Sequence, residues 1–197
     1  MQPTTDHNLI QQTLQGDTRA FGELVERYQS FVFTIIVRMV KVREEAEEVA
    51  QDTFIKAFES LSSFRGESKF SSWLYSIAYR KALDRIRKNK KYQASELLEE
   101  VTENEAGSYE NGLYQLEEKE RKQQIQDGIM QLPEVDAALI TLYYFEDQSV
   151  KEIAAITKLS EENIKVKLYR SRKKMFTLLQ HLAPSTNTNT NTNGRLA

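Results

Sequence analysis

A chain of 197 residues, 28% of them charged, with a net charge of −2 and no cysteine, has room for one good core or two small ones and excludes a disulfide framework and thiolate metal sites. It has no run of about 18 apolar residues, and its start, MQPTTDHNLIQQ, lacks the regions of a signal peptide, so no membrane insertion is expected and the reading is cytoplasmic. Seven glycines and three prolines among abundant Glu, Lys, Gln, Leu and Ala predict an all-α fold, two small helical domains joined by an acidic linker.

Asp6 is placed to cap a first helix over HNLIQQTLQ, and Asp17 or Thr18 a second from Arg19 to about Lys41. In the second, Phe21, Leu24, Val25, Tyr28, Val32, Ile35, Ile36 and Met39 recur at three- and four-residue steps, a core-facing stripe. The next helix, about Arg43 to Leu61, sets Ala46, Val49, Thr53, Phe54, Ala57 and Phe58 on one side and Glu44, Glu45, Glu47, Glu48, Gln51, Asp52 and Glu59 on the other. No partner for this acidic face is visible in the sequence, and solvated acidic faces are common.

A loop follows to about Lys69, then a helix from about Ser71 to Lys90. The loop holds Phe64, Arg65 and Gly66; Phe70, Trp73, Tyr75 and Tyr79 come next; and residues 79–91 carry a net +6. Rings beside cations suit single-stranded bases, each stacked base contributing about 1–3 kcal/mol while Lys and Arg hold the backbone. The competing reading is that Phe70, Trp73, Leu74 and Ile77 close the core, which leaves Phe64 and Arg65 as the better contact candidates.

Residues 93–120 carry a net −8, and 93–116 read as a linker containing Gly107 and Gly112. Fully extended, the acidic stretch would span roughly 90 Å; if flexible it would reach about 30 Å, near one turn of duplex. The second domain spans 117–182, with Pro133 breaking the chain before EVDAALITLYYFEDQ. SVKEIAAITKLSEENIKVKLYRSRKKMFTLL, residues 149–179, has the layout of a helix-turn-helix: Ile153, Ala154 and Ile156 face inward, TKLS turns, and Ser160 caps a helix burying Ile164, Leu168, Met175 and Leu179. Asn163, Lys165, Val166, Lys167, Tyr169, Arg170 and Lys173 face outward, a set able to address bases and phosphates in a major groove. Against this stands an ordinary solvated basic helix, which the preceding short helix and turn disfavour. Residues 183–197 form a polar low-complexity tail read as disordered.

Taken in order over residues 8–182, these pieces resemble a sigma factor of the bacterial sigma-70 family, in its two-domain extracytoplasmic-function group. AEEVAQDTFIKAF is similar to the family's core-polymerase-binding helix. FRGESKFSSWLYSIAYRKALDRIR is similar to its promoter-melting loop and minus-ten-element helix, and LPEVDAALITLYYFEDQSVKEIAAITKLSEENIKVKLYRSRKKM to its minus-thirty-five-element domain. The resemblance gives residues 8–92 a region 2 role and 117–182 a region 4 role. It assigns Glu48, Gln51, Asp52 and Ile55 to a coiled coil of the polymerase's largest subunit, and Phe64, Arg65, Ser68, Lys69 and Phe70 to a flipped-base loop. It assigns Arg80, Lys81, Asp84, Arg85 and Lys88 to the minus-ten element, and Lys165, Val166, Lys167, Tyr169 and Arg170 to the recognition helix. The chain departs from the family at Arg80, where many relatives carry Asn, at Val166, where they carry a small residue, and at Lys158, where they carry a turn glycine; Lys158 then requires a strained backbone or a different turn.

The implied function is transcription initiation: binding core RNA polymerase, directing it to promoter DNA, and capturing the opened strand. The implied partners are the polymerase, duplex and opened promoter DNA, and an anti-sigma factor. The acidic linker is expected to keep the basic modules off nucleic acid until the polymerase arrives. The alternative is a helix-turn-helix regulator that binds duplex without joining the polymerase; a further rival, a helical interaction protein, predicts no steep salt dependence, whereas six phosphate contacts imply a log–log slope near about −5. No enzyme, cofactor or metal is expected: His7 and His181 are isolated, and no HExxH, Walker or GxSxG pattern occurs.

Overall fold

The computed structural model describes residues 5–96 and 116–182, and within them the chain forms eight α-helices, one 3-10 turn and no strand. Most of the acidic linker and the tail from 183 onward lie outside the described residues.

Helix α1 (Asp6–Leu14) is capped by Thr5 rather than Asp6: the Thr5 hydroxyl accepts from the Asn8 amide at 3.4 Å. The Asp6 carboxylate is drawn to α2 (Thr18–Val40), where it accepts from the Tyr28 hydroxyl at 2.5 Å and pairs with Arg27. Asp17 caps α2 as expected, accepting from the Arg19 amide at 2.9 Å. The predicted stripe is the core of the first four helices, with Phe21, Leu24, Val32, Ile35, Ile36 and Met39 buried. Lys41 ends the helix in the left-handed region at φ 71°.

Helix α3 (Arg43–Glu59) buries Ala46, Val49, Thr53 and Ala57, and a 3-10 turn over Leu61–Ser63 leads to α4 (Phe70–Glu96). Helix α4 starts one residue earlier than expected and continues past Lys90 to Glu96, four residues into the segment read as linker. The helices α5 (Leu116–Met130), α6 (Glu134–Phe145), α7 (Val150–Thr157) and α8 (Glu161–Leu182) follow, with Pro133 opening α6. Their core holds Ile129, Leu139, Leu142, Ile153, Ile156, Ile164 and Leu168. A Cβ at Gly128 would stand 2.9 Å from Met175 Cε, so α5 approaches α8 closely there and a larger residue would displace the end of the Met175 side chain.

The two sets of helices dock on each other, α2 against α6 and α4 against α7. Arg38, 6% exposed, donates to the Thr141 hydroxyl at 3.0 Å and lies 4.4 Å from the centroid of the Phe145 ring. Beside it the Tyr75 hydroxyl donates to Glu146 Oε2 at 2.6 Å, and the Ser72 hydroxyl to Gln148 Oε1 at 3.1 Å. Two ion pairs edge the seam, Lys69 with Glu152 and Lys90 with Glu134, each at 3.0 Å. The Lys41 ammonium is buried there without a hydrogen-bond partner. Helices α1 to α4, α7 and α8 stand where the sequence predicts them, the sequence reading gives α5 and α6 no helix, and the seam escapes it because its contacts pair residues 71 to 103 positions apart.

Candidate nucleic-acid interface

The acidic face of α3 has a partner after all. Glu45, Glu48 and Asp52 form a ladder along α4, Glu45 accepting from Asn89 at 2.7 Å, Glu48 from Arg85 at 2.7 Å and Asp52 from Lys81 at 3.4 Å. The ladder arises because both helices present polar residues at three- to four-residue spacing along the line where they meet. Glu48, Gln51 and Asp52 remain exposed, and Ile55, a large apolar side chain, is 58% exposed beside them. An open cleft of about 510 Å³ between α2 and α3, lined by Phe33, Arg43, Gln51 and Phe54, adjoins this face.

The loop before α4 divides its candidates. Arg65, Ser68 and Lys69 are exposed, with Gly66 turning the chain at φ 72°. Phe64 is half-buried, its ring 5.7 Å from that of Phe70 and 5.4 Å from that of Trp73. Phe70 is 4% exposed and belongs to the helix rather than the loop, with its ring 5.6 Å from Tyr28: here the core reading prevails over a free stacking ring. Ile77 is buried as well, while Trp73 keeps part of its ring in solvent. An open cavity of about 550 Å³ lies over the loop, lined by Asp6, Arg27, Tyr28, Phe64, Ser68 and Lys69. Burial first, and the hydrogen bond to Asp6 second, raise the pKa of the Tyr28 phenol, which stays a donor.

Along α4, Arg80, Asp84 and Lys88 are exposed, whereas Lys81 and Arg85 are half-buried in the ladder. Arg80 folds back to donate to the Ser76 carbonyl at 2.9 Å and the Ser76 hydroxyl at 3.2 Å, and Asp84 accepts from Arg87 at 3.4 Å. A cleft of about 350 Å³ joins Trp73, Arg80, Lys81 and Asp84 to three residues the sequence does not single out, Lys56, Ser60 and Ser63. Their only sequence signal is a cation and two hydroxyls at the end of a helix, too common a pattern to select them.

In the C-terminal helices the helix-turn-helix forms as predicted. Ser149 and Glu152 make a capping box on α7; the Ser149 backbone amide, with Lys69 next, lowers the Glu152 carboxyl to about 2. Lys158 takes the strained alternative: it ends α7 at φ 62°, its amide donating to the Ala154 carbonyl. Ser160 accepts from the Asn163 amide at 3.3 Å and so caps α8. Asn163, Lys165, Val166, Tyr169, Arg170 and Lys173 stand exposed on one side of α8. Lys167 does not join them. Three residues after Ile164, it falls at the edge of the buried stripe and donates to Asp136 Oδ1 at 2.9 Å, so its charge is committed to α6.

Two families match the chain, sigma-70 region 2 over residues 24–92 and sigma-70 region 4 over residues 122–175. The RNA polymerase sigma-H factor of Pseudomonas aeruginosa is 33% identical over 185 residues, covering 90% of this chain and 95% of that protein. The ECF RNA polymerase sigma-E factor of Haemophilus influenzae is 32% identical over 90% of this chain and 97% of its own length. The ECF RNA polymerase sigma factor SigW of Bacillus subtilis is 31% identical over 88% and 96%. Among solved structures, CnrH in complex with the cytosolic domain of CnrY shares the fold at a TM-score of 0.62 and 24% identity, covering 90% of this chain and 99% of that one. The sigma factor RpoE in complex with the anti-sigma factor NepR, from Bartonella quintana, does so at 0.66 and 20%, covering 81% and 96%.

Proposed function

Because this chain belongs to the sigma-70 family, in its extracytoplasmic-function group, and is a transcription initiation factor that binds core RNA polymerase and directs it to promoter DNA, we propose a division of labour among its exposed faces. Residues 8–92 act as the region 2 domain and 117–182 as the region 4 domain. Glu48, Gln51, Asp52 and Ile55 meet the polymerase. The loop of Phe64, Arg65, Ser68 and Lys69, with Phe70 buttressing Phe64 from beneath, captures a base of the opened strand. Arg80, Lys81, Asp84, Arg85 and Lys88 follow that strand along the minus-ten element. Asn163, Lys165, Val166, Tyr169, Arg170 and Lys173 read the upstream duplex.

The observation that carries polymerase recruitment is Ile55, 58% exposed beside Gln51 and Asp52, with Phe58, 44% exposed, on the next turn. Exposed apolar side chains rimmed by polar and charged ones are the pattern of a protein contact, and a regulator that only binds duplex has no use for them. Runoff transcription with bacterial core polymerase on a library of promoter fragments tests this reading. Initiation that depends on the protein and shares a two-part sequence supports it; stable, specific duplex binding with no association with core would replace it with the regulator.

Transcript synthesis belongs to the polymerase, and this chain contributes no covalent chemistry. It works in the cytoplasm beside the polymerase, and no helix among its described residues is long and apolar enough to cross a membrane. An anti-sigma factor is a further partner, since RpoE of similar fold is held by one. The acidic segment keeps the basic surfaces off nucleic acid in the free protein. Replacing its glutamates with glutamine then raises DNA binding by the free factor, and unchanged binding removes that role.

A further inference from the structure

We propose that the groove between α5, α6 and α8 is a binding site for a small amphiphile, an alkyl chain that ends in a carboxylate. The groove is a cleft of about 420 Å³ with a lining that is apolar almost throughout, its walls formed by Ile129 of α5, Ile140 of α6 and Leu179 of α8. A cleft of that size, lined by apolar and aromatic side chains with few polar groups, is the usual form of a small-molecule site. Three rings stand beside it in water: Tyr144 is 48% exposed, Phe145 46% and Phe176 64%. An alkyl chain laid among them removes apolar surface from water. Met175, whose methyl end lies against Gly128, gives the groove a wall that can change rotamer to fit the chain.

Arg172 of α8 is the one charged residue in that lining. It is exposed, and among the described residues its guanidinium makes no hydrogen bond or ion pair. A guanidinium presents a planar fork of donors that a carboxylate fills with two parallel hydrogen bonds. One cation beside an apolar wall matches a single negative charge on the head of the ligand and disfavours a cationic head. An extended peptide fits less well, because its amide groups would go unpaired against a lining with so few polar atoms. The groove shares no residue with the faces assigned above to the polymerase, the opened strand and the upstream duplex, so it stands or falls independently of those assignments. Helix α8 nevertheless carries both the groove and the duplex-reading residues, so ligand and promoter DNA would meet the same helix.

Isothermal titration of the whole chain with octanoate, decanoate and dodecanoate, each kept below its micelle concentration, tests the site. One molecule per chain is expected, with affinity rising about fourfold per added methylene. Dodecanol and dodecyltrimethylammonium are expected to bind at least tenfold more weakly than dodecanoate. Arg172→Leu should bring dodecanoate down to the affinity of dodecanol while leaving dodecanol unchanged, and Arg172→Lys should restore part of the difference. A merely structural role for Arg172 would move both ligands together. The proposal is overturned by a parent that shows no saturable binding, by equal affinity for acid and alcohol, or by an Arg172→Leu variant that keeps the carboxylate preference. Many molecules bound per chain would mean adsorption to the exposed rings and overturns it as well. If the parent takes up no dodecanoate while Phe176→Asp abolishes association with core polymerase, or abolishes dimers seen in sedimentation, the groove belongs to the polymerase or to a second copy instead.

Discussion

Replacing Lys41 by methionine should stabilise this protein at neutral pH, and the gain should vanish in alkali. The Lys41 pKa is lowered from 10.5 to about 8, chiefly by burial; Glu134 opposes the shift, and Arg38 and Lys174 add to it. Between those values the unfolded chain binds more protons than the folded one, so this group makes stability rise with pH from about 8 to 10.5; below 8 the full cost of the buried charge is present. At about 1.36 kcal/mol per unit the shift corresponds to roughly 3.4 kcal/mol, and allowance for partial solvation leaves about 2 kcal/mol. Methionine keeps the stem and the same left-handed backbone, so the difference isolates the charge. Thermal melts of parent and variant at pH 7 and pH 10.5 measure it, with an expected rise of about 4–8 °C at pH 7 and almost none at pH 10.5. Equal midpoints at pH 7, or a gain that persists undiminished at pH 10.5, would refute the reasoning.

Lys165→Ala with Arg170→Ala should weaken upstream duplex binding and flatten its log–log salt slope by about 1.8, two phosphate contacts' worth, with core polymerase binding intact in a pull-down. Ile55→Glu should abolish that pull-down and leave the unfolding free energy from urea titration within about 0.5 kcal/mol of the parent, because the side chain is on the surface. Lys158→Gly removes a Cβ from a residue at φ 62° and should stabilise by about 1 kcal/mol in urea titration, with DNA binding unchanged.

Local signals carried a large share of this architecture. The apolar stripe of α2, the Pro133 break and the Ser160 cap follow from residue spacing and turn chemistry, and each stands where the sequence places it; Lys158, for which the family resemblance left a strained backbone or a different turn open, takes the strained one. Failures occurred wherever a side chain had a choice of distant partner. Asp6 is as good a cap as Thr5 in isolation and is lost to Arg27 and Tyr28; Lys167 sits one position from the exposed face and is taken by Asp136. The α3–α4 ladder and the Arg38–Thr141 hydrogen bond needed knowledge of which helices touch, and Phe70 needed knowledge of how far the first turn of α4 is sunk into the core.

The Lys167–Asp136 pair governs an angle. It joins the flank of α8 to α6 at 2.9 Å, with the two side chains 32% and 16% exposed, and so adds a polar stop to the rotation that the buried Ile164, Leu168 and Met175 already set for α8. A turn of about 20° would swing side-chain tips lying about 6 Å from that axis through about 2 Å, several times the half-ångström tolerance of a hydrogen bond to a base edge. Under the proposed assignment of Lys165, Tyr169 and Arg170 to the upstream duplex, Asp136, on another helix, thus contributes to the angular register of that face.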